Sequence, residues 1–218
     1  MEDRTLTMAG RKKVCMTKIK ICGLRSFNDI NIANKYHPDY IGFVFANSKR
    51  QVDPKTAFNL KKELDPTIQG VGVFVNAPIE YIVPLCQSQT IDIIQLHGDE
   101  DEAYIQELKR NVSNPIIKAA RVSKEMGFLP LFEYSSDYIL YDTVIKGQFG
   151  GSGITFDHRL LINQSKPFFL AGGLDRENVR KAILICNPYC VDVSSGVETN
   201  GIKDEAKIRE FIQAIREM

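Results

Sequence analysis

Cys22 ends the run KIKIC and is followed at once by Gly23, while Asp142 closes the apolar run YILYD. A thiol acts as a general base in its thiolate form, and with an ordinary value near ~8.5 a few per cent is ionised at neutral pH. A carboxyl group at the end of an apolar segment costs desolvation free energy unless it is paired, and partial burial favours the protonated form that a general acid needs. An acid and a base on opposite sides of one small molecule can move a proton from carbon to a heteroatom, which is an isomerase's equipment. Gly23 is expected to make room for the thiol. Taken alone, Cys22 reads more readily as a small core hydrophobe; the lesser alternative for Asp142 is a carboxylate capping its loop.

A second set of residues suits an anion. AGGLDRENV carries Gly172 and Gly173, and VSSGVETNGIKD carries Ser194, Ser195 and Gly196. Glycine lets backbone N–H groups approach a phosphate, serine adds a hydroxyl donor, and a helix N-terminus adds partial positive charge. A third run, GQFGGSG with Gly151 and Ser152, lacks the Lys-Ser/Thr of a Walker loop. It is expected to act as a lid that contributes donors over the substrate. Arg50, in NSKRQVDP, offers a planar fork of donors suited to a carboxylate. Gln95 and His97, in QLHGDE, read as hydrogen-bonding walls of the same site.

These residues need a scaffold, and the chain repeats one cadence. Strand-like runs occur at 18–22, 39–45, 70–75, 92–97, 115–120, 137–142, 167–172 and 190–195. Several are almost continuously apolar, as expected of parallel strands covered on both faces. Helix-like stretches lie between them. SFNDINIANKY opens on a serine cap, and DPKTAFNLKKEL on an aspartate cap followed by proline. The segment after the fifth strand, SKEMGFLPLFEYSS, is interrupted by Pro130. Eight strands alternating with helices predict a single closed (β/α)8 TIM barrel over 17–218, behind a flexible leader over 1–16. An open doubly wound sheet is the alternative, but ICGLRS after the first strand is no GxGxxG fingerprint. In a barrel the site lies at the C-terminal strand ends, where every candidate above sits, and the loops after strands seven and eight commonly hold phosphate.

Composition narrows the classes further. Hydrophobic residues at 44% and charged residues at 25% describe an ordinary globular chain, and a net charge of +1 argues against a nucleic-acid partner. No apolar run has the length of a membrane span, and the polar start lacks a secretory signal's apolar core. Five cysteines, at 15, 22, 86, 186 and 190, form no CxxC pair and lie far from the histidines at 37, 97 and 158. That spacing predicts free thiols in a cytoplasmic protein, with no structural metal. Either a monomer or a homodimer is compatible with this sequence.

KICG, GFVFANSKRQV, QLHGDE, YDT followed by GGSG, LAGGL and VDVSSGVE, in that order, resemble the phosphoribosylanthranilate isomerase family from about Thr17 to the last helix. The resemblance implies an Amadori rearrangement of N-(5-phosphoribosyl)anthranilate to 1-(2-carboxyphenylamino)-1-deoxyribulose 5-phosphate, in tryptophan biosynthesis and without a cofactor. It implies Cys22 as general base, Asp142 as general acid and Arg50 as the clamp on the anthranilate carboxylate. Arg25 stands where the family frequently has a small hydroxyl residue, a change expected to touch the entry of the first helix. Three rivals stay open. An amino-sugar isomerase of histidine biosynthesis wants aspartates where Cys22 and Ala119-Ala120 stand. Indole-glycerol phosphate synthesis wants a catalytic lysine, for which Lys118 is the candidate. A non-catalytic phosphometabolite-binding barrel needs neither Cys22 nor Asp142.

Overall fold

Parallel strands rich in Ile, Val and Phe must be covered on both faces, and closure into a barrel wrapped by helices does this without leaving an edge. A computed structural model describes residues 16–122, 134–143, 161 and 166–218. Its strands are β1 (Lys18–Cys22), β2 (Tyr40–Val44), β3 (Gln69–Phe74), β4 (Ile93–Leu96), β5 (Ile116–Val122), β6 (Tyr138–Thr143), β7 (Phe168–Leu170) and β8 (Cys190–Val193). They pair in sequence order as a closed barrel, and β8 returns to β1 with Lys20 opposite Asp192. The described helices are α1 (Phe27–Tyr36), α2 (Pro54–Lys62), α3 (Ile79–Gln87), α4 (Glu102–Asn111), α5 (Val179–Cys186) and α6 (Glu205–Arg216). Residues 1–15 of the expected 1–16 leader, most of the proline-interrupted segment and the GQFGGSG run with Gly151 and Ser152 lie outside the described residues.

Local chemistry sets the helix starts. Ser26 and Asp29 form a reciprocal capping box on α1, and Asp53 caps α2 with Pro54 in its first turn. Arg25 leaves this entry intact. Its backbone N–H joins the Asp29 carboxylate, and its guanidinium donates to the carbonyls of Lys49 (2.7 Å) and Gly201 (3.0 Å), tying two loops at the barrel mouth.

Two strands end earlier than their apolar runs. β7 stops at Leu170 because Gly172 (φ 90°) and Gly173 (φ 63°) take the left-handed conformation and turn the chain. β8 stops at Val193, and Ser195–Val197 forms a 3-10 turn. A short antiparallel pair follows, β9 (Glu198–Thr199) and β10 (Ile202–Lys203), joined by Asn200 and Gly201 with positive φ. Asn-Gly is the dipeptide such a tight hairpin prefers.

Strand alternation divides the interior. Ile19, Ile21, Ile41, Phe43 and Ile94 pack outward against the helices. The inward residues Tyr40, Val71, Ile93, Ile117, Leu140, Phe169 and Cys190 plug the lower lumen. Above that plug the inward positions turn polar, with Lys20, Gln95, Asp142 and Asp192 all buried. An apolar floor beneath a polar layer lies under the cavity at the C-terminal mouth.

Candidate active site

Cys22 is the last inward residue of β1 and is paired with Gly42 on β2. A Cβ at Gly42 would lie 2.6 Å from the Cys22 sulfur, so the space for the thiol is made across the sheet. This corrects the expectation for Gly23. Gly23 has φ +85°, and a Cβ there would meet Arg50 Cδ at 2.5 Å, so it makes room for the arginine instead.

The sulfur is buried, and burial pushes the thiol up from its ordinary value; the Lys20 and Lys203 ammonium groups pull it down, and the Asp192 carboxylate adds to the upward push. Lys20 is wholly buried, with Nζ 2.7 Å from Asp192 Oδ2. Asp192 Oδ1 is buried without a hydrogen-bond partner among the described residues.

Asp142 ends the inward side of β6, and its Oδ2 lies 3.3 Å from His97 Nε2. On the other side of the ring, Gln95 Nε2 is 2.9 Å from His97 Nδ1. With the amide as donor, Nδ1 accepts and the ring proton sits on Nε2, facing the carboxylate. The loop bearing His97 is itself anchored. Glu100 accepts from the backbone N–H groups of Asn76 and Gly98, and pairs with Lys118 at 2.7 Å.

Cys22, Arg50, Gln95, His97 and Asp142 line one cavity of about 370 Å³, together with Gly172, Gly173, Asp192, Ser194 and Ser195. That volume suits a single small organic molecule. The apolar part of its wall comes from Val44, Ala46, Val73, Val75, Ala171 and Leu174.

Arg50 has a partner that the sequence reading missed. Glu198 accepts from Nε (2.7 Å) and Nη2 (2.8 Å), which occupies the side edge of the guanidinium fork. The end edge, made of Nη1 and the second N–H of Nη2, is what Arg50 can offer a ligand carboxylate. Lys203, opposite Glu198 in the β9–β10 hairpin, pairs with the same carboxylate at 2.7 Å. Burial opposes ionisation of Glu198, but these two cations outweigh it and hold the carboxyl at about 2.

The anion end differs in detail from expectation. Gly172 and Gly173 line the cavity in consecutive left-handed conformations. The Ser194 hydroxyl donates to the Cys22 carbonyl at 3.1 Å, stitching β8 to β1, which leaves the Ser195 hydroxyl as the side-chain donor at that end. Gly196 is not among the lining residues. A Cβ there would meet the Leu174 carbonyl oxygen at 2.0 Å, so it lets the loops after β7 and β8 close on each other.

Lys118, the candidate lysine of one rival, is buried on its ion pair with Glu100 and does not line the cavity. Ala119 and Ala120, where another rival needs an aspartate, do not line it either. Among the described residues, no group of three or more His, Cys, Asp or Glu side chains could hold a metal ion, and no helix is long and apolar enough to cross a membrane.

Sequence reading missed Lys20, Gly42, Asp192, Glu198 and Lys203. Asp192 carried a usable signal, being a carboxylate inside the apolar strand CVDV two residues before Ser194. Asn200-Gly201 signalled the hairpin that brings Glu198 and Lys203 together.

Comparison with known proteins agrees with this architecture. The family model described as "N-(5'phosphoribosyl)anthranilate (PRA) isomerase" matches residues 19–214. A protein of Endomicrobium trichonymphae named N-(5'-phosphoribosyl)anthranilate isomerase is 50% identical over 207 residues, covering 93% of this chain and 100% of that one. The crystal structure of phosphoribosyl anthranilate isomerase from Thermotoga maritima is similar with a TM-score of 0.82 at 35% identity, covering 93% of this chain and 100% of that one. A phosphoribosyl anthranilate isomerase in complex with reduced 1-(o-carboxyphenylamino)-1-deoxyribulose 5-phosphate is similar with a TM-score of 0.79 at 34% identity, over the same 93% and 100%. With a barrel of this order and a family match spanning nearly all of it, the chain belongs to the N-(5'-phosphoribosyl)anthranilate isomerase family.

Proposed function

We propose that this chain isomerises N-(5-phosphoribosyl)anthranilate to 1-(2-carboxyphenylamino)-1-deoxyribulose 5-phosphate, with Asp142 as general acid and Cys22 as general base. The observation that carries the reading is that both groups line one cavity with the glycine turn after β7 and Ser195 after β8. A relative with the same barrel binds a reduced form of the corresponding product, which is the chemistry that this cavity would have to accept.

The steps follow from the groups present. Asp142 gives its proton to the furanose ring oxygen, the bond from that oxygen to C1 breaks, and the anthranilate nitrogen and C1 form a protonated Schiff base. Cys22, as thiolate, takes the proton from C2, and the electron pair moves to give an enolamine. Tautomerisation of the enolamine yields the ketone, so no atom is gained or lost. Each positioned acid or base is worth about 10²- to 10⁴-fold in rate. Gly172, Gly173 and Ser195 hold the 5-phosphate, and the end edge of Arg50 takes the anthranilate carboxylate. Gln95 and His97 keep Asp142 oriented. Gly151 and Ser152 lie outside the described residues and are assigned the lid role on sequence grounds alone. Residues 17–218 act as one catalytic barrel behind the 1–16 leader.

The test is a fluorescence assay following loss of phosphoribosylanthranilate with purified protein and no added metal. Turnover supports the reading. Tight binding of a phosphate-bearing analogue with no turnover would instead make the chain a phosphometabolite-binding barrel.

A further inference from the structure

Lys20 has no place in the mechanism above, yet its side chain is fully buried. It occupies the inward position one layer below Cys22 on β1, directly opposite Asp192 on β8. An ammonium moved out of water costs several kcal/mol even after relaxation, and a well-packed apolar side chain usually fills such a place at no loss of stability. The Lys20–Asp192 pair, at 2.7 Å, therefore does not explain itself as a source of stability. Its location offers another reason. Lys20 and Cys22 are successive inward residues of β1, so the ammonium that pairs with Asp192 also acts electrostatically on the thiol.

We propose that Lys20 is the fixed counter-charge of Cys22, held under the sulfur by Asp192, so that the thiolate needed to abstract a carbon-bound proton forms inside a buried pocket. Lys20 acts through Cys22 and is a positioning residue. Its own proton stays on the ammonium throughout, while the thiol proton leaves to solvent through the cavity mouth. The proposal rests on the reading of Cys22 as the base. A thiolate in an apolar pocket is penalised by burial, and a cation in direct contact is the means of offsetting that penalty. The charged groups acting on the sulfur from each neighbouring element are Lys20 on β1, Asp192 on β8, Lys203 on β10 and Arg50 in the loop after β2. Three of the four are cations. Lys203 and Arg50 are both committed to Glu198, which leaves Lys20, on the same strand as Cys22, as the cation acting most strongly on the thiol.

The two members of the pair act on the thiol with opposite sign, and this gives a test that a merely structural role would not pass. The rate of Cys22 alkylation by iodoacetamide is measured against pH, with the modified peptide followed by mass spectrometry so that Cys15, Cys86, Cys186 and Cys190 do not contribute. Lys20→Met is expected to raise the pH midpoint by about one unit or more, the scale of losing one opposite charge in contact. Asp192→Asn is expected to lower it, because the ammonium then serves the sulfur alone. Lys20→Arg, which keeps the charge, is expected to stay near the wild-type midpoint. Midpoints that move in the same direction for Lys20→Met and Asp192→Asn, or do not move, overturn the proposal. If Lys20→Met does not fold, the sign for Asp192→Asn decides, and an unchanged or raised midpoint is the overturning result. The readout needs no substrate. A fully active Cys22→Ser variant would sink the general-base reading while leaving these midpoints where they are.

Discussion

His97 Nε2 lies 3.3 Å from Asp142 Oδ2, while Gln95 holds the opposite ring nitrogen at 2.9 Å. The carboxyl group assigned to open the sugar ring thus faces an imidazole that Gln95 holds from its other side. Loss of one hydrogen bond to an ionisable group is worth ~1.5 kcal/mol, or about tenfold in rate. His97→Ala should lower kcat by about that factor with KM little changed. Steady-state kinetics check this, and a rise in KM at unchanged kcat would make His97 a binding residue only.

Cys22→Ser keeps the shape of the side chain and removes its acidity, and Asp142→Asn removes the transferable proton. Each should lower kcat by at least ~10², the low end for a positioned acid or base, with modest change in substrate affinity. Near-full activity in either variant would take that residue out of the mechanism.

Gly42 supports Cys22 across the sheet rather than along the chain. Alanine there would put a methyl group 2.6 Å from the sulfur and 3.1 Å from the Cys22 Cα. Both the side chain and the strand would have to yield, at a cost of ~1–3 kcal/mol for overpacking. Gly42→Ala is expected to remain folded by circular dichroism while losing most of its turnover. A variant with wild-type kinetics would mean that the thiol has space elsewhere.

Arg50 offers the end edge of its fork to a substrate carboxylate because Glu198 already holds the side edge. Arg50→Ala should raise KM by about tenfold or more, since a charge-assisted bond is worth ~1.5–3 kcal/mol. Arg50→Lys should recover little, because a point charge cannot reproduce the fork. Unchanged kinetics with the anthranilate-bearing substrate would reject the clamp.

Glu198 links stability to pH with a definite sign. Its folded value, about 2, lies below the ordinary 4.5, so the unfolded chain binds the proton more readily and stability rises with pH through that window. The contribution is fully present above about 4.5 and is lost as pH falls towards 2. Urea midpoints measured across this window should converge for wild type and Glu198→Gln as the pH drops, with wild type the more stable at neutral pH. Parallel curves would remove Glu198 from the acid response.

Strand and helix order, the barrel and much of the site's composition were legible in the chain itself. Runs such as GVGVFV and PFFLAG announce strands covered on both faces, Ser26 and Asp53 announce helix starts, and glycine pairs announce turns able to meet an anion. These signals are local, since each arises from a residue's own backbone preferences or from neighbours within one helical turn. The partners of the chemical groups are not local. Lys20 meets Asp192 across 172 positions, and Arg50 meets Glu198 across 148. In KIKIC the lysines look like the water-facing side of a half-buried strand, and only closure of β8 onto β1 makes that side the lumen. The sequence alone determined which residue types stand at the strand ends. The tertiary structure decided which of them share a cavity and which charge faces which, because barrel closure sets register between strands far apart in the chain, and electrostatic contacts act through space over a few ångströms.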